Sequence, residues 1–326
     1  MASSRLLQLH NYTTHGSSAA SLPRRAARVA LSSLILQTSL SLHPPSSLRY
    51  HSHCYCSGRD VPVAEVAEKH YNKEHFNSPE LVALEYADLN LSYKLDLGHV
   101  RIRQHVNPLS SSFSVPTQAP DWNQVFRDPT LPLMVDIGCG SGRLLLWLAK
   151  RNPGVRNYLG LEIRQKLVKR AEVWVKDLAL KNIHFLFANA TISFKHLVTS
   201  YPGPLMFVSI LCPDPHFKKR HHKRRVLQKP LVGAIVETMM PGGQVYMSGV
   251  VSHQVLIQSD VLEVAIDMRN QFDVVEALQH IDAVNPSVLC DSEGWLLSNP
   301  MGIRTEREIH AELEGARIFR RIYQKH

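Results

Sequence analysis

The sequence predicts an α/β fold built on a parallel sheet, and three observations carry that prediction. Short apolar runs at 133–137, 157–161, 184–187 and 205–211 alternate with longer stretches of helical periodicity. The first run ends in Asp136-Ile137-Gly138-Cys139-Gly140-Ser141-Gly142, a glycine-rich turn that opens directly into a helix. The 326 residues, 44% of them hydrophobic, suffice to bury one sizeable core in one or two domains. Strands separated by helices run parallel because each connection crosses back over the sheet, and the helices then cover both faces.

Residues 1–59 hold six arginines and no acidic residue, among many serines and alanines. That is the composition of an organelle transit peptide, and the start Met1-Ala2-Ser3-Ser4 favours a chloroplast over a mitochondrial address. A plain disordered tail is the alternative. The apolar stretch from Val29 to Leu42 is interrupted by serines and Gln37 and is too short to span a bilayer, so no membrane segment is expected. His51, His53, Cys54 and Cys56 lack a second half-site for a metal, and none is expected. The five cysteines (54, 56, 139, 212 and 290) show no framework spacing and read as reduced thiols. Residues 60–120 read as an extension, helical from Ala64 to Leu97, with a Ser/Pro-rich loop from Ser110 to Pro120. Residues 121–326 form the main domain. Its elements are a strand Leu133 to Ile137, a helix Arg143 to Arg151, a strand Asn157 to Leu161 and a helix Gln165 to Leu180. Strands His184 to Phe187 and Leu205 to Leu211 follow, then a helix Pro230 to Met239 before Pro241-Gly242-Gly243.

The strand ends carry the chemistry. Gly138, Gly140 and Gly142 let the backbone turn tightly and approach a ligand without a Cβ in the way. Their G-x-G-x-G spacing differs from the G-x-G-x-x-G of a dinucleotide loop, and Asp136 precedes it at the strand end. A carboxylate there repels a pyrophosphate but suits the ammonium and sulfonium of S-adenosylmethionine. Glu162 closes the second strand twenty residues after Gly142, placed to accept both ribose hydroxyls. Asn189, with Ala190 beside it, follows the third strand where an adenine edge would lie. Loop, Glu162 and Asn189 together resemble class I methyltransferases. A nicotinamide cofactor and an empty fold are the alternatives.

The net charge of +9 is concentrated. The arginines of 1–59 leave +3 for the rest of the chain. There, Lys218, Lys219, Arg220, Lys223, Arg224 and Arg225 supply six positive charges by themselves, so everything else is net acidic. This run follows Cys212-Pro213-Asp214-Pro215-His216-Phe217 at the end of the fourth strand. Ligands of open parallel sheets bind beyond the strand carboxyl ends. An acidic residue between two prolines is held rigidly there, and the basic run beside it can neutralise several phosphates of a nucleic acid. The other reading of the run is a nuclear-localisation signal or a solvated charge cluster.

The segment from Pro213 to Arg225 resembles the P-D-P-x-x-K-x-R-H-x-K-R-R signature of the tRNA (guanine-N7-)-methyltransferase family. The likeness extends from Arg103-Gln104-His105-Val106-Asn107-Pro108-Leu109 to Thr305-x-x-Glu308 and the terminal strand near Arg317 to Tyr323. It implies a Rossmann-like class I fold with a mostly parallel seven-stranded sheet, S-adenosylmethionine as cofactor, and methylation of N7 of the variable-loop guanosine in tRNA. By the same resemblance, Asp136, Glu162, Asn189 and Asp214 line the cofactor and reaction centre, and Lys218, Asp260 and the stretch from Thr305 to Glu308 contact the substrate. Lys218, Arg220, Lys223, Arg224 and Arg225 follow the phosphate backbone, and Asp214, or secondarily Glu308, holds the guanine. Some positions depart from the family pattern. Cys212 and His216 replace aromatic residues, Asn189 often corresponds to Asp, and Arg307 stands where Phe is usual. The expected partner is tRNA, bound by a monomer or homodimer, with no partner subunit implied. Three further readings are a methyltransferase acting on another RNA, one acting on a small molecule or protein, and a non-catalytic RNA-binding module. The basic run speaks against the second, and the intact glycine loop with Asp136 and Glu162 against the third.

After Gly243 the pattern is irregular. Gln244-Val245-Tyr246-Met247 starts a strand, yet Ser248-Gly249-Val250 follows where the family has an acidic residue, and the pattern restarts at Gln254 and runs to Asp260. Residues 244–253 therefore read as an insertion. Two apolar segments compete for one central strand position. The expectation is that Val255 to Gln258 takes it and the insert leaves the sheet as a loop, because loop length costs little.

Overall fold

The protein is described by a computed structural model for residues 77–91, 105–239, 245–246, 249–250 and 253–326. The expected transit peptide, the stretches 64–76 and 92–97 of the expected N-terminal helix, and Arg103 and Gln104 lie outside the described residues. Among the described residues of that extension, α1 spans Ser78–Glu85. Asn77 caps it, its side chain accepting from the Glu80 N–H while the Glu80 carboxylate accepts from the Asn77 N–H. A short 3₁₀ turn follows and is interrupted at Asn90 by a left-handed φ of 48°. Arg304 donates to Glu85 through its backbone and guanidinium, which fixes α1 to the C-terminal region.

A short helix α2 (Trp122–Val125) leads into the alternation the sequence predicts: β1 (Leu133–Ile137), α3 (Arg143–Arg151), β2 (Asn157–Glu162), α4 (Gln165–Asp177), β3 (Ile183–Phe187), α5 (Ala190–Thr199), β4 (Leu205–Leu211) and α6 (Lys229–Thr238). Helix α5 was not among the expected elements. Helix α4 stops before the expected Leu180 because Ala179 takes a φ of 50°, and the N–H groups of Ala179 and Leu180 turn back onto Lys176 and Val175. Then come β5 (Val245–Tyr246), β6 (Gly249–Val250), β7 (Gln254–Ser259), α7 (Leu262–Asp273), β8 (Leu278–His280), α8 (Ile281–Val284), α9 (Glu306–Leu313) and β9 (Phe319–Lys325).

Seven strands form one sheet in the order β3-β2-β1-β4-β7-β9-β8. Only β9 runs antiparallel to its neighbours, so the expected mostly parallel seven-stranded sheet is present. Alternate residues serve opposite faces. Leu133, Val135 and Ile137 pack with Phe194 of α5, Leu231 of α6 and Met268 of α7, while Met134 and Tyr158 pack with Leu145 of α3 and Trp174 of α4. Strand order reverses between β1 and β4, which opens a crevice at the carboxyl ends of these strands. No helix among the described residues is long and apolar enough to cross a membrane.

The competition after Gly243 resolves in favour of the later segment. β7 pairs with β4 from Gln254 to Gln258 and with β9 along its whole length, whereas β5 and β6 pair with each other in a separate hairpin. His253, at the junction, is fully buried with neither ring nitrogen hydrogen-bonded. Its carbonyl accepts from the Lys325 N–H, a bond that Gly243 would inherit if residues 244–253 were removed. That deletion is expected to stabilise the fold by about 1–2 kcal/mol, since it removes a buried unpaired imidazole and shortens a loop. Chemical denaturation reads the change. A deletion protein that no longer unfolds cooperatively would mean that the hairpin supports the sheet.

Candidate active site

Beyond β1 the chain turns through three left-handed glycines, Gly138 (φ 80°), Gly140 (φ 59°) and Gly142 (φ 81°). The Gly138 N–H bonds to the Leu161 carbonyl at 2.8 Å and the Gly140 N–H to the Glu162 carboxylate at 2.9 Å, so the loop is laced to the end of β2. A Cβ on Gly138 or Gly140 would meet no protein atom within 4 Å, which leaves both facing open space. A Cβ on Gly142 would come 2.6 Å from the Phe185 ring, so this glycine serves helix–strand packing. Two cavities flank the loop. One, of about 490 Å³, is lined by Gly138, Glu162, Asn189, Ala190, Asp214 and Asp260. The other, of about 620 Å³, is lined by Asp136, Gly140, Tyr86, Thr305 and Glu306. Gly138, Arg164, Cys212 and Arg307 line both and form their common wall. Apolar Ile137, Leu161 and Ala188 beside carboxylates suit a cofactor with a flat base, a diol and a cationic tail.

Asp136 is buried and accepts a 2.7 Å bond from the Ser209 hydroxyl. Burial pushes its pKa up to about 7, the Ser209 bond opposes that rise, and the Glu162 charge adds to it. Glu162 is also buried, and both its oxygens are engaged. Arg164 donates through its backbone N–H at 2.9 Å and its guanidinium at 2.8 and 3.1 Å, beside the Gly140 bond. Asn189 uses its amide N–H2 on the carbonyls of Pro108 and Phe113, at 3.1 and 3.2 Å. An aspartate could not make those bonds, so the departure from the family residue ties the segment following His105 across the cofactor side. Thr117 continues the attachment, donating to the Ser193 hydroxyl and the Phe187 carbonyl.

Asp214 stands between two non-glycine residues of positive φ, Cys212 at 48° and His216 at 44°. Such conformations are costly and persist where surrounding structure imposes them. The Cys212 N–H donates to Gln258 at 2.7 Å, and burial pushes the Cys212 thiol up to about 12, which keeps it protonated. Asp214 accepts from the His216 N–H, and its other oxygen lies 2.7 Å from His105 Nδ1. His105 belongs to the expected motif, but its pairing with Asp214 was not foreseen. The basic run folds as a 3₁₀ turn from Lys219 to Arg224, with Lys218, Lys219, Arg220 and Lys223 exposed and Arg224 half-buried at the first cavity.

Two expected substrate residues are placed elsewhere. Arg225 is 6% exposed and bonds Pro215, Glu263 and Asp267, so its guanidinium is turned inward and pins the basic turn onto α7. Glu308 is 1% exposed and lines neither cavity. Its carboxylate accepts from Arg320, from Gln258 at 3.1 Å and from Asn299 at 3.0 Å, and it closes a capping box with Thr305 at the start of α9. The Thr305 hydroxyl serves that cap while the residue borders the second cavity. Asp260 faces the first cavity with its carboxylate bonded by Arg307 at 3.0 Å. Arg164 was absent from the expected site, visible only as a cation two residues beyond Glu162. Arg307 lay within the expected Thr305 to Glu308 stretch, but its pairing with Asp260 carries no sequence signal.

The family described as "Putative methyltransferase" matches residues 130–321, from just before β1 into β9. The tRNA (guanine-N(7)-)-methyltransferase of Synechococcus sp. strain JA-2-3B'a(2-13) is 46% identical over 65% of this chain and 79% of its own length. This chain belongs to the tRNA (guanine-N(7)-)-methyltransferase family. Family members of the same name from Synechococcus sp. strain JA-3-3Ab and from Synechocystis sp. strain PCC 6803 are 45% and 44% identical. These alignments cover 68% and 65% of this chain and 84% and 92% of theirs. The family match thus contains the glycine loop, both cavities' strand-end residues and the basic turn, while α1 and the segment at His105 precede it.

Proposed function

We propose that this methyltransferase transfers the methyl group of S-adenosylmethionine to N7 of the variable-loop guanosine in tRNA, with Asp214 holding the acceptor base. The observation that carries this reading is the Asp214 carboxylate, set in a strained turn on the wall of the cavity it shares with Glu162 and Asn189. When bound, the cofactor supplies an electrophilic methyl on a sulfonium. Guanine N7 has a free lone pair, so no proton leaves before attack, and positioning with electrostatics does the remaining work. The two Asp214 oxygens match the adjacent N1–H and N2–H donors of guanine, and the base takes the place of the His105 ring. The carboxylate then balances the charge that methylation puts on the base. Asn189 Oδ1, left free by the bonds of its N–H2, would accept from the adenine amine of the bound cofactor. Glu162 would hold the ribose hydroxyls in exchange for its bonds from the Arg164 guanidinium. Lys218, Lys219, Arg220 and Lys223 follow the phosphates.

Asp136 lies where the cofactor's positive end would sit, and its raised pKa predicts a pH signature. A carboxyl with a folded value near 7 and an unfolded value of about 3.9 adds stability below pH ~4 that is lost as pH rises through 7. Unfolding free energy of the cofactor-free protein should therefore fall across that window, and Asp136→Asn should flatten the fall. Near pH 6, cofactor binding should release close to one proton, measured by calorimetry in buffers of different ionisation enthalpy. Equal proton release from Asp136→Asn would assign the titration to another group.

We read residues 1–59 as a chloroplast transit peptide, 60–120 as an extension and 121–326 as the catalytic domain. The arginine-rich, acid-free composition of 1–59 supports this, as does the similarity to proteins from cyanobacteria. The deciding assay combines the full chain, bulk tRNA and methyl-labelled S-adenosylmethionine, followed by nucleoside analysis. 7-Methylguanosine is the expected product. No transfer, or a methyl on another nucleoside, would overturn the reading.

A further inference from the structure

We propose that Phe217 is the stacking platform for the acceptor guanine, an inference that rests on the methyl-transfer reading above. Phe217 is 68% exposed and lines the cavity that holds Asp214. The neighbouring position, where the family often carries an aromatic residue, holds His216. Its ring also borders the cavity, but it is largely covered, 3.8 Å from the Asp214 carboxylate, and exposes far less surface than Phe217. The left-handed turn at His216 separates the two side chains, one turned inward and the next outward. An exposed phenyl ring on a cavity wall leaves apolar surface in water until something flat covers it. The exposed Lys218, Lys219 and Arg220 follow at once, so a nucleic-acid backbone is held within one nucleotide's reach of the ring. A purine set against this wall meets two complementary surfaces, a carboxylate for its donor edge and an aromatic ring for its face.

The reaction gives that ring a second part to play. Methylation at N7 turns a neutral base into a cation, and an aromatic face attracts a cation more than a neutral ring. Stacking on Phe217 therefore strengthens toward the transition state, which makes Phe217 a substrate-contacting residue that raises turnover as well as affinity.

The test uses the full chain with transcribed tRNA and compares Phe217→Ala, Phe217→Leu and Phe217→Trp. Loss of the platform should lower kcat/KM for tRNA about ten- to a hundred-fold in the Ala variant. Leu should stay close to Ala, because bulk without a π face does not stack, and Trp should match or exceed the wild type. The KM for S-adenosylmethionine, the unfolding midpoint and the slope of log affinity against log salt should hold at wild-type values in all three. Arg220→Glu, by contrast, should flatten the salt slope. Full activity in Phe217→Ala or in Phe217→Leu overturns the platform. A salt slope altered in Phe217→Ala overturns it too. Wild-type protein that leaves tRNA unmethylated removes both this inference and the reading beneath it.

Discussion

Asp214→Asn is expected to lower the rate of tRNA methylation by about 10²–10³-fold and to leave cofactor affinity and the unfolding midpoint near wild type. Asparagine keeps the shape and can still accept from the His216 N–H, so the turn between Pro213 and Pro215 survives. What changes is charge and pattern. The amide presents an N–H2 where guanine also presents donors, and no anion remains to balance the cation formed on the base. The Asp214 side chain is partly exposed at the cavity wall and outside the apolar core, so its loss opens no cavity. Single-turnover kinetics with saturating tRNA isolate the chemical step, and a cofactor titration with a thermal melt completes the comparison. A fall in midpoint comparable to a core deletion, with the rate per folded molecule preserved, would recast Asp214 as a brace for the strained turn.

The parts of this fold and site that can be read from sequence are those written contiguously. The bounds of β1, α3 and β4 follow from apolar runs closed by glycine or proline, and the glycine loop is attached to the strand that positions it. Helix α5 escaped because Ser193 sits in the middle of its buried stripe of Ala190, Phe194, Leu197 and Val198, where a polar residue breaks the apolar period. Ser193 is inside because the Thr117 N–H donates to its hydroxyl, a contact made across a long sequence gap. The same reason hid the ion pairs. Arg307 reaches Asp260 from α9, and Arg225 leaves its basic neighbours to meet Glu263 and Asp267 on α7. A run of like charges gives no sign of which member turns inward. Arg164 is the near exception, two residues from Glu162, yet a side chain folding back over a strand end leaves no periodic signal.

Glu308 carries the second large effect, on stability more than on turnover. Its carboxylate joins Gln258 of β7, Arg320 of β9 and Asn299 to the first turn of α9, with Arg320 itself buried. Glu308→Ala leaves the Arg320 guanidinium inside without its counter-charge and removes half of the capping box. The expected cost is about 3–5 kcal/mol. Glu308→Gln keeps an acceptor for Gln258 and should recover part of that loss. Because α9 also supplies Arg307 to Asp260, and Glu306 to Ser141 of the glycine loop and Arg143 at the start of α3, a loosened α9 reaches the active site indirectly. Below the melting range, the surviving folded molecules should keep the wild-type KM for tRNA. The opposite pattern, an unchanged unfolding midpoint with methylation lost, would mean that Glu308 leaves its buried network to hold the guanine, as the family resemblance implies. That outcome would require Arg320 to find another anion, and among the described residues Glu312, 4.0 Å away on the same helix, is placed to serve.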